Sequence, residues 1–326
     1  VVLLHGLTDS SACWPLVRDR YPDRLVVALD APGHGGRPLG DVPFTIAALA
    51  ADAVAALRAR DLGPAVLVGH SMGGVTAEEV ALTAPDLVAA LVLEDPAWRE
   101  VAEPAADGAG SGAVAGAAEG GAERAAGAVR AAGPAAAAGA VRAAADAPAA
   151  GGAAPAGGDA LPAADDARLL GLALDGVPDG SAPATAEVDG RPAWLALAIA
   201  ETAGRTVAEV AALGRRDNPA WSEAEIRGWA EARLGVDPRI AQVPHEWTAR
   251  DWVGALADVA TPVTLLTAEP GHGVVTPAQA ARAVALLGDR LTHVPVAGAG
   301  HSIRRDAPQA YLAALDAALA HADAAH

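Results

Sequence analysis

The chain has 326 residues, 52% of them hydrophobic but only 3% aromatic, and 40 acidic against 23 basic residues give a formal net charge of -17. Phosphate backbones and anionic membrane surfaces both attract cationic faces, so this balance argues against a nucleic-acid partner and against membrane binding. A single cysteine, Cys13, leaves no intrachain disulfide and no cysteine-built zinc site.

Residue 1 already lies in an apolar run, Val1 to Leu4, with no initiator Met. No basic segment precedes an apolar stretch, so the reading is a chain without a signal peptide, with sequence missing upstream and, by default, a cytoplasmic location. No run of about 18 apolar residues suggests a transmembrane helix. Further short runs follow at Leu25 to Leu29, Ala65 to Gly69, Leu91 to Glu94 and Val263 to Thr267, with a weaker one at Leu291 to Val296. Each is rich in Val and Leu and bounded by Gly, Pro or Asp, as a strand buried on both faces should be. Helical periodicity occupies Ile46 to Arg60, Val75 to Thr83 and Pro277 to Leu287. Strand alternating with helix predicts an α/β fold, a mostly parallel sheet with helices on both faces.

The pattern changes after Trp98. Residues 105–164 hold 30 Ala and 13 Gly in 60 positions, with four Val or Leu in all. So little apolar surface cannot offset the entropy of ordering, which predicts a low-complexity, disordered or loosely helical insertion at 99–160. Helical patterns return at Pro192 to Leu213 and Ser222 to Leu234. Six of the seven Trp fall between positions 98 and 252. They predict the core of a helical cap over 161–257, with one or two lining an apolar pocket. Residues 1–98 and 258–326 are then the core domain.

Three motifs carry chemistry. Gly69-His70-Ser71-Met72-Gly73 is a G-x-S-x-G sequence between a predicted strand and a predicted helix. A serine there rides a tight turn that lifts its hydroxyl clear of the sheet at a helix N-terminus. His5-Gly6-Leu7 follows the first strand, where a turn can aim the next backbone N–H at an oxyanion. His301, in Gly298-Ala-Gly-His-Ser302, stands past the last strand, and imidazole titrates near neutrality, as a general base must. His34, His70, His245, His272 and His293 lack a comparable context, and no ligand cluster resembling H-E-x-x-H is present, so neither metal nor cofactor is expected.

HGL at 5–7, DAPGHG at 30–35, GHSMGG at 69–74, LEDP at 93–96 and GAGHS at 298–302 occur in an order that resembles the α/β-hydrolase fold superfamily. The resemblance covers residues 1–98 and 258–320. It implies a capped fold lacking its first two strands, with the Leu25 to Leu29 strand left at an edge. Ser71 matches the nucleophile, His301 the base, and Leu7 and Met72 the positions whose amides form the oxyanion hole. Asp30 matches a residue that shapes the loop after its strand. For the acid the resemblance offers two places. One follows the strand after the cap, where Glu269 stands without a second carboxylate. The other is one strand earlier, at Asp95, braced by Pro96 and preferred. The implied activity is a serine hydrolase acting on a small apolar ester-like or related carbonyl substrate, without cofactor. The alternatives are a C–C bond hydrolase and a non-catalytic ligand-binding protein of the same fold. Nothing in the sequence specifies an oligomeric state.

Overall fold

The computed structural model describes residues 1–41, 43–98, 187–188, 191–245 and 250–324. In chain order the strands are β1 (Val2–Leu4), β2 (Val27–Leu29), β3 (Ala65–His70), β4 (Val88–Glu94), β5 (Glu187–Val188), β6 (Arg191–Pro192), β7 (Val263–Thr267) and β8 (Leu291–Pro295). Six of them form a parallel sheet in the order β2-β1-β3-β4-β7-β8, while β5 and β6 pair as an antiparallel hairpin.

Alternation along each strand divides the core in two. Leu4, Leu67, Leu91, Leu93, Val263 and Leu265 pack on one face with the helices Ile46–Ala59, Met72–Thr83 and Pro277–Leu287. Leu3, Val66, Val68, Val92 and Leu266 pack on the other with Pro15–Arg20 and Pro308–Ala324. The central strands β3, β4 and β7 are buried almost throughout. At the sheet's edges β2 and β8 are half-buried, and β8 carries polar residues at Thr292 and His293, which is why its apolar signal is weak. The Leu25 to Leu29 strand does stand at an edge, with the Leu25 side exposed. Local chemistry starts the helices: Thr45 caps Ile46–Ala59, and Thr276 forms a capping box with Gln279 ahead of Pro277.

Two boundaries move. The helix expected from Val75 begins at Met72, because the chain turns straight out of β3 into it. The single helical pattern at 192–213 is two helices, Ala193–Thr202 and Val207–Asp217, broken where Gly204 takes a φ of 71° and Thr206 caps the second. The low-complexity tract at 99–160 lies outside the described residues, as do 161–186 of the expected cap. No helix among the described residues is long and apolar enough to cross a membrane.

Between β6 and β7 the helices 193–202, 207–217 and Glu223–Leu234 form a small layer of their own, with Val210, Ala211, Ile226 and Ala230 at its centre beside Trp221 and Trp229. Trp98 and Trp252 belong instead to the main core, and Trp247 is outside the described residues. The layer meets the loop after β1 closely: a Cβ on Gly228 would lie 2.3 Å from the Ala12 carbonyl oxygen. Gly36 N–H donates to the Gly235 carbonyl, and Asp237 N–H to that of Gly33. At the start of the insertion Trp98 is held twice, its indole N–H donating to Glu78 Oε2 at 2.9 Å and its carbonyl accepting from Gln279 at 3.0 Å. Gly228→Ala must push the helix off the loop, so it should lower stability by about 1–3 kcal/mol in urea unfolding, whereas Gly36→Ala, where no neighbour crowds the Cβ, should perturb only through its own left-handed φ.

Candidate active site

Ser71 sits between β3 and the Met72–Thr83 helix with φ 51° and ψ -114°, a left-handed conformation that L residues rarely adopt. Packing leaves the turn no choice. A Cβ on Gly69 would lie 2.2 Å from the Gly73 carbonyl oxygen, and one on Gly73 would lie 2.0 Å from that of Leu4. Only glycine at both positions lets the helix start this close to the sheet. The backbone is then fixed by Ser71 N–H to the Glu94 carbonyl, and by Gly74 and Ala97 N–H to the Ser71 carbonyl.

The loop after β1 lies against this elbow, since a Cβ on Gly6 would be 3.3 Å from the Ser71 Cβ. The amides of Leu7 and Met72 have no acceptor among the described residues. Free donors beside a nucleophile are what a developing oxyanion requires. Two histidines hold the loop. His5 Nε2 accepts from Ala31 N–H at 3.1 Å while its Nδ1 meets the Gly6 carbonyl at 2.8 Å. His34, which the sequence offered only as a loop residue, accepts from Thr8 N–H at 3.4 Å and turns Nδ1 to the Pro32 carbonyl at 3.1 Å. Their rings lie 4.9 Å apart. Burial, joined by His5 nearby, pushes His34 down to about 3, and burial also lowers His5. Asp30 shapes the next loop by accepting from the Ser11 amide and hydroxyl.

Asp95 and His301 are brought together. Asp95 is fully buried with φ 38°, and its Oδ2 lies 2.6 Å from His301 Nδ1. The same carboxylate accepts from Val274 N–H at 2.7 Å and Val275 N–H at 3.0 Å. The segment after β7 that lacks a second acidic residue therefore contributes its amides to Asp95. Glu269 turns the other way and accepts from Gly298 N–H at 3.0 Å. For His301, burial pulls the imidazole down, but the Asp95 hydrogen bond and the charges of Asp95, Glu94 and Asp9 outweigh it and raise it above the ordinary 6.5. Among the described residues, the Ser71 hydroxyl makes no hydrogen bond to His301. Between them stands His70, whose Nε2–H donates to the His301 carbonyl at 3.1 Å and whose ring lies 4.7 Å from that of His301.

Beneath these groups lies a buried ion cluster that no sequence motif announced. Arg304, fully buried, pairs with Asp9 at 2.7 Å and Glu94 at 3.1 Å, and Arg305 pairs with Asp9 at 3.1 Å and Glu225 at 3.2 Å. The one sequence hint is the adjacent arginine pair just past His301, in an otherwise buried turn. Among the described residues, no group of three or more His, Cys, Asp or Glu is arranged to hold a metal ion.

A family model described as alpha/beta hydrolase fold matches residues 1–111. The solved structure of E-2-(acetamidomethylene)succinate hydrolase superposes with a TM-score of 0.58 at 21% identity, covering 98% of this chain and 90% of that one. The chain has the α/β-hydrolase fold. A thioesterase domain from the curacin biosynthetic pathway is similar as well, with a TM-score of 0.55 at 17% identity over 96% of this chain and 88% of that domain. Lipase LipV of Mycobacterium tuberculosis (strain ATCC 25618 / H37Rv) is 41% identical over 97 residues, 30% of this chain and 37% of the lipase. The sn-1-specific diacylglycerol lipase ABHD11 of Xenopus laevis is 42% identical over 98 residues, 29% of this chain and 31% of that protein. The chain thus spans about a third of the length of the curated relatives it matches.

The histidines that hold this α/β-hydrolase loop make stability acid-sensitive. His34 is neutral when folded and titrates near its ordinary 6.5 when unfolded, so the unfolded chain binds the extra proton first. Stability should fall as pH drops below about 6.5 and keep falling until about 3, and His34→Gln should flatten that part of the urea-midpoint profile.

Proposed function

We propose that the chain is a serine hydrolase that cleaves a small, apolar ester-like or related carbonyl substrate by acyl transfer. The observation that carries this reading is the 2.6 Å contact between His301 Nδ1 and the buried Asp95, beside a serine on a strained elbow flanked by two acceptor-free amides. Because Asp95 takes Nδ1–H, Nε2 is left to act as the base. Ser71 Oγ attacks the carbonyl carbon and its proton passes to His301 Nε2. The amides of Leu7 and Met72 take the oxyanion, a contribution worth about 3 kcal/mol of barrier for each donor. As the tetrahedral intermediate collapses, His301 protonates the leaving group and an acyl-Ser71 ester remains. Water, deprotonated by His301, then attacks the acyl carbon and frees Ser71. The Ser71 and His301 side chains are not hydrogen-bonded to each other, and catalytic bonds of this kind commonly tighten only when substrate is bound.

The helices between 193 and 234 serve in this reading as the cap, with substrate entering between them and the carboxyl ends of the strands. Relatives named as lipases support an ester carbonyl as the reacting group. Apolar character is supported by the tryptophans of the cap layer, Trp221 and Trp229, and by Leu7 at the oxyanion turn.

A fluorophosphonate probe should label Ser71, as mapped by peptide mass spectrometry, and labelling should vanish in Ser71→Ala; a folded chain that stays unlabelled would overturn the reading. Asp95→Asn should lower turnover of a p-nitrophenyl ester by about 10⁴-fold, as expected when the base is left in the wrong tautomer, while Glu269→Gln should leave it nearly unchanged. The reverse ranking would move the acid to Glu269.

A further inference from the structure

The ion cluster under the site joins every part that the proposed chemistry uses. Asp9 stands on the loop that carries the Leu7 amide, three residues past Gly6, whose carbonyl accepts the Asp9 N–H. Glu94 directly precedes Asp95, and its Oε1 accepts from Arg304 N–H at 2.8 Å while its Oε2 meets the guanidinium. Arg304 follows His301 by three residues and stacks over Trp14 at 4.5 Å. Arg305 reaches Glu225 on the 223–234 helix and lies 4.8 Å over Trp221. Asp9 is the centre, bonded to both arginines and with Oδ2 3.6 Å from His70 Nδ1.

The charges do not cancel. Two guanidinium groups face three carboxylates, so the cluster holds one surplus negative charge in a site nearly closed to solvent. His70 does not neutralise it: burial keeps that ring below its ordinary value, and its Nδ1 has no hydrogen-bond partner. Asp9 itself stays ionised, because the two arginines and His70 outweigh its burial. The groups facing His301 are Asp95 and Glu94 from the end of β4, Asp9 from the β1 loop, His70 from β3, and Arg304 with Asp306 from its own turn. Asp306 accepts from Gly300 N–H at 2.8 Å, and Glu269 binds the same loop at Gly298.

We propose that Asp9 is a positioning residue for His301: through Arg304, Arg305 and His70 it holds the His301 loop in register with Asp95, and it supplies the surplus negative charge that favours the imidazolium formed when His301 takes a proton. The proposal rests on His301 acting as the base. Low dielectric makes such a charge effective beyond direct contact, and a cluster fixed by several bonds needs no reorganisation during the reaction.

The test is an NMR titration of the His301 ring in the full chain, assigned with His301→Gln, for Asp9→Asn and Arg305→Gln. Removing the anion should lower the His301 midpoint by about half a unit or more, and removing the cation should raise it. A role that is only structural would move neither, or move both in one direction, and that result overturns the proposal. If one variant fails to melt cooperatively, the other decides by the sign of its shift. If both fail, Glu225→Gln at the outer end of the cluster decides, with a smaller downward shift expected and no shift overturning it. The titration reads no activity, so it is separate from the fluorophosphonate result. If Ser71 is not labelled but the shifts occur, the electrostatic link holds and the catalytic reading fails. Where the protein turns over a p-nitrophenyl ester, the acid limb of kcat/KM should move with the NMR midpoint, and KM should change less than kcat.

Discussion

A guanidinium with no access to solvent is the constraint around which this site is organised. Arg304 is charged at any physiological pH, and leaving it unpaired in the interior would cost several kcal/mol. The fold must therefore bring carboxylates to it, and those carboxylates sit at the ends of separate segments: Asp9 after β1 and Glu94 at the end of β4. Satisfying one arginine forces the ends of these segments together on the rim of the sheet where Ser71 emerges. The face of Trp14 takes up the flat side of the same group, so even its stacking direction is set.

The elbow adds a steric constraint of another kind. Gly69 and Gly73 let β3 and its helix approach until backbone touches backbone, and the serine between them has no other conformation to adopt. Asp95 is held in a comparable way, by amides from a segment that joins the core some 180 residues later in the chain. One half of the site is thus shaped by exclusion and the other by charge. Neither half depends on a long flexible side chain finding its place.

How far the sequence foretold this depends on the range of the interactions. The central strands and the G-x-S-x-G turn were legible because their signals are local: an apolar run, a period, a glycine either side of Ser71. β8 was faint because half of it faces solvent. The acid was legible only as a choice between Asp95 and Glu269, since the deciding contacts come from Val274 and Val275 amides, which no side-chain pattern encodes. Arg304 with Asp9 was out of reach altogether, as the two are 295 positions apart and neither belongs to a motif. His34 was visible, in DAPGHG, but its partner is a backbone amide on another loop.

The double hold on Trp98 has a consequence for how this protein can vary. Trp98 stands only a few positions past Asp95, and its indole and carbonyl are clamped by Glu78 and Gln279 on two different helices. Tension or rotation arriving along the chain from beyond position 98 is absorbed at that clamp before it reaches Asp95. The acid is mechanically insulated from the insertion, and the long stretch rich in alanine and glycine can drift in length and composition without detuning the residue that orients His301.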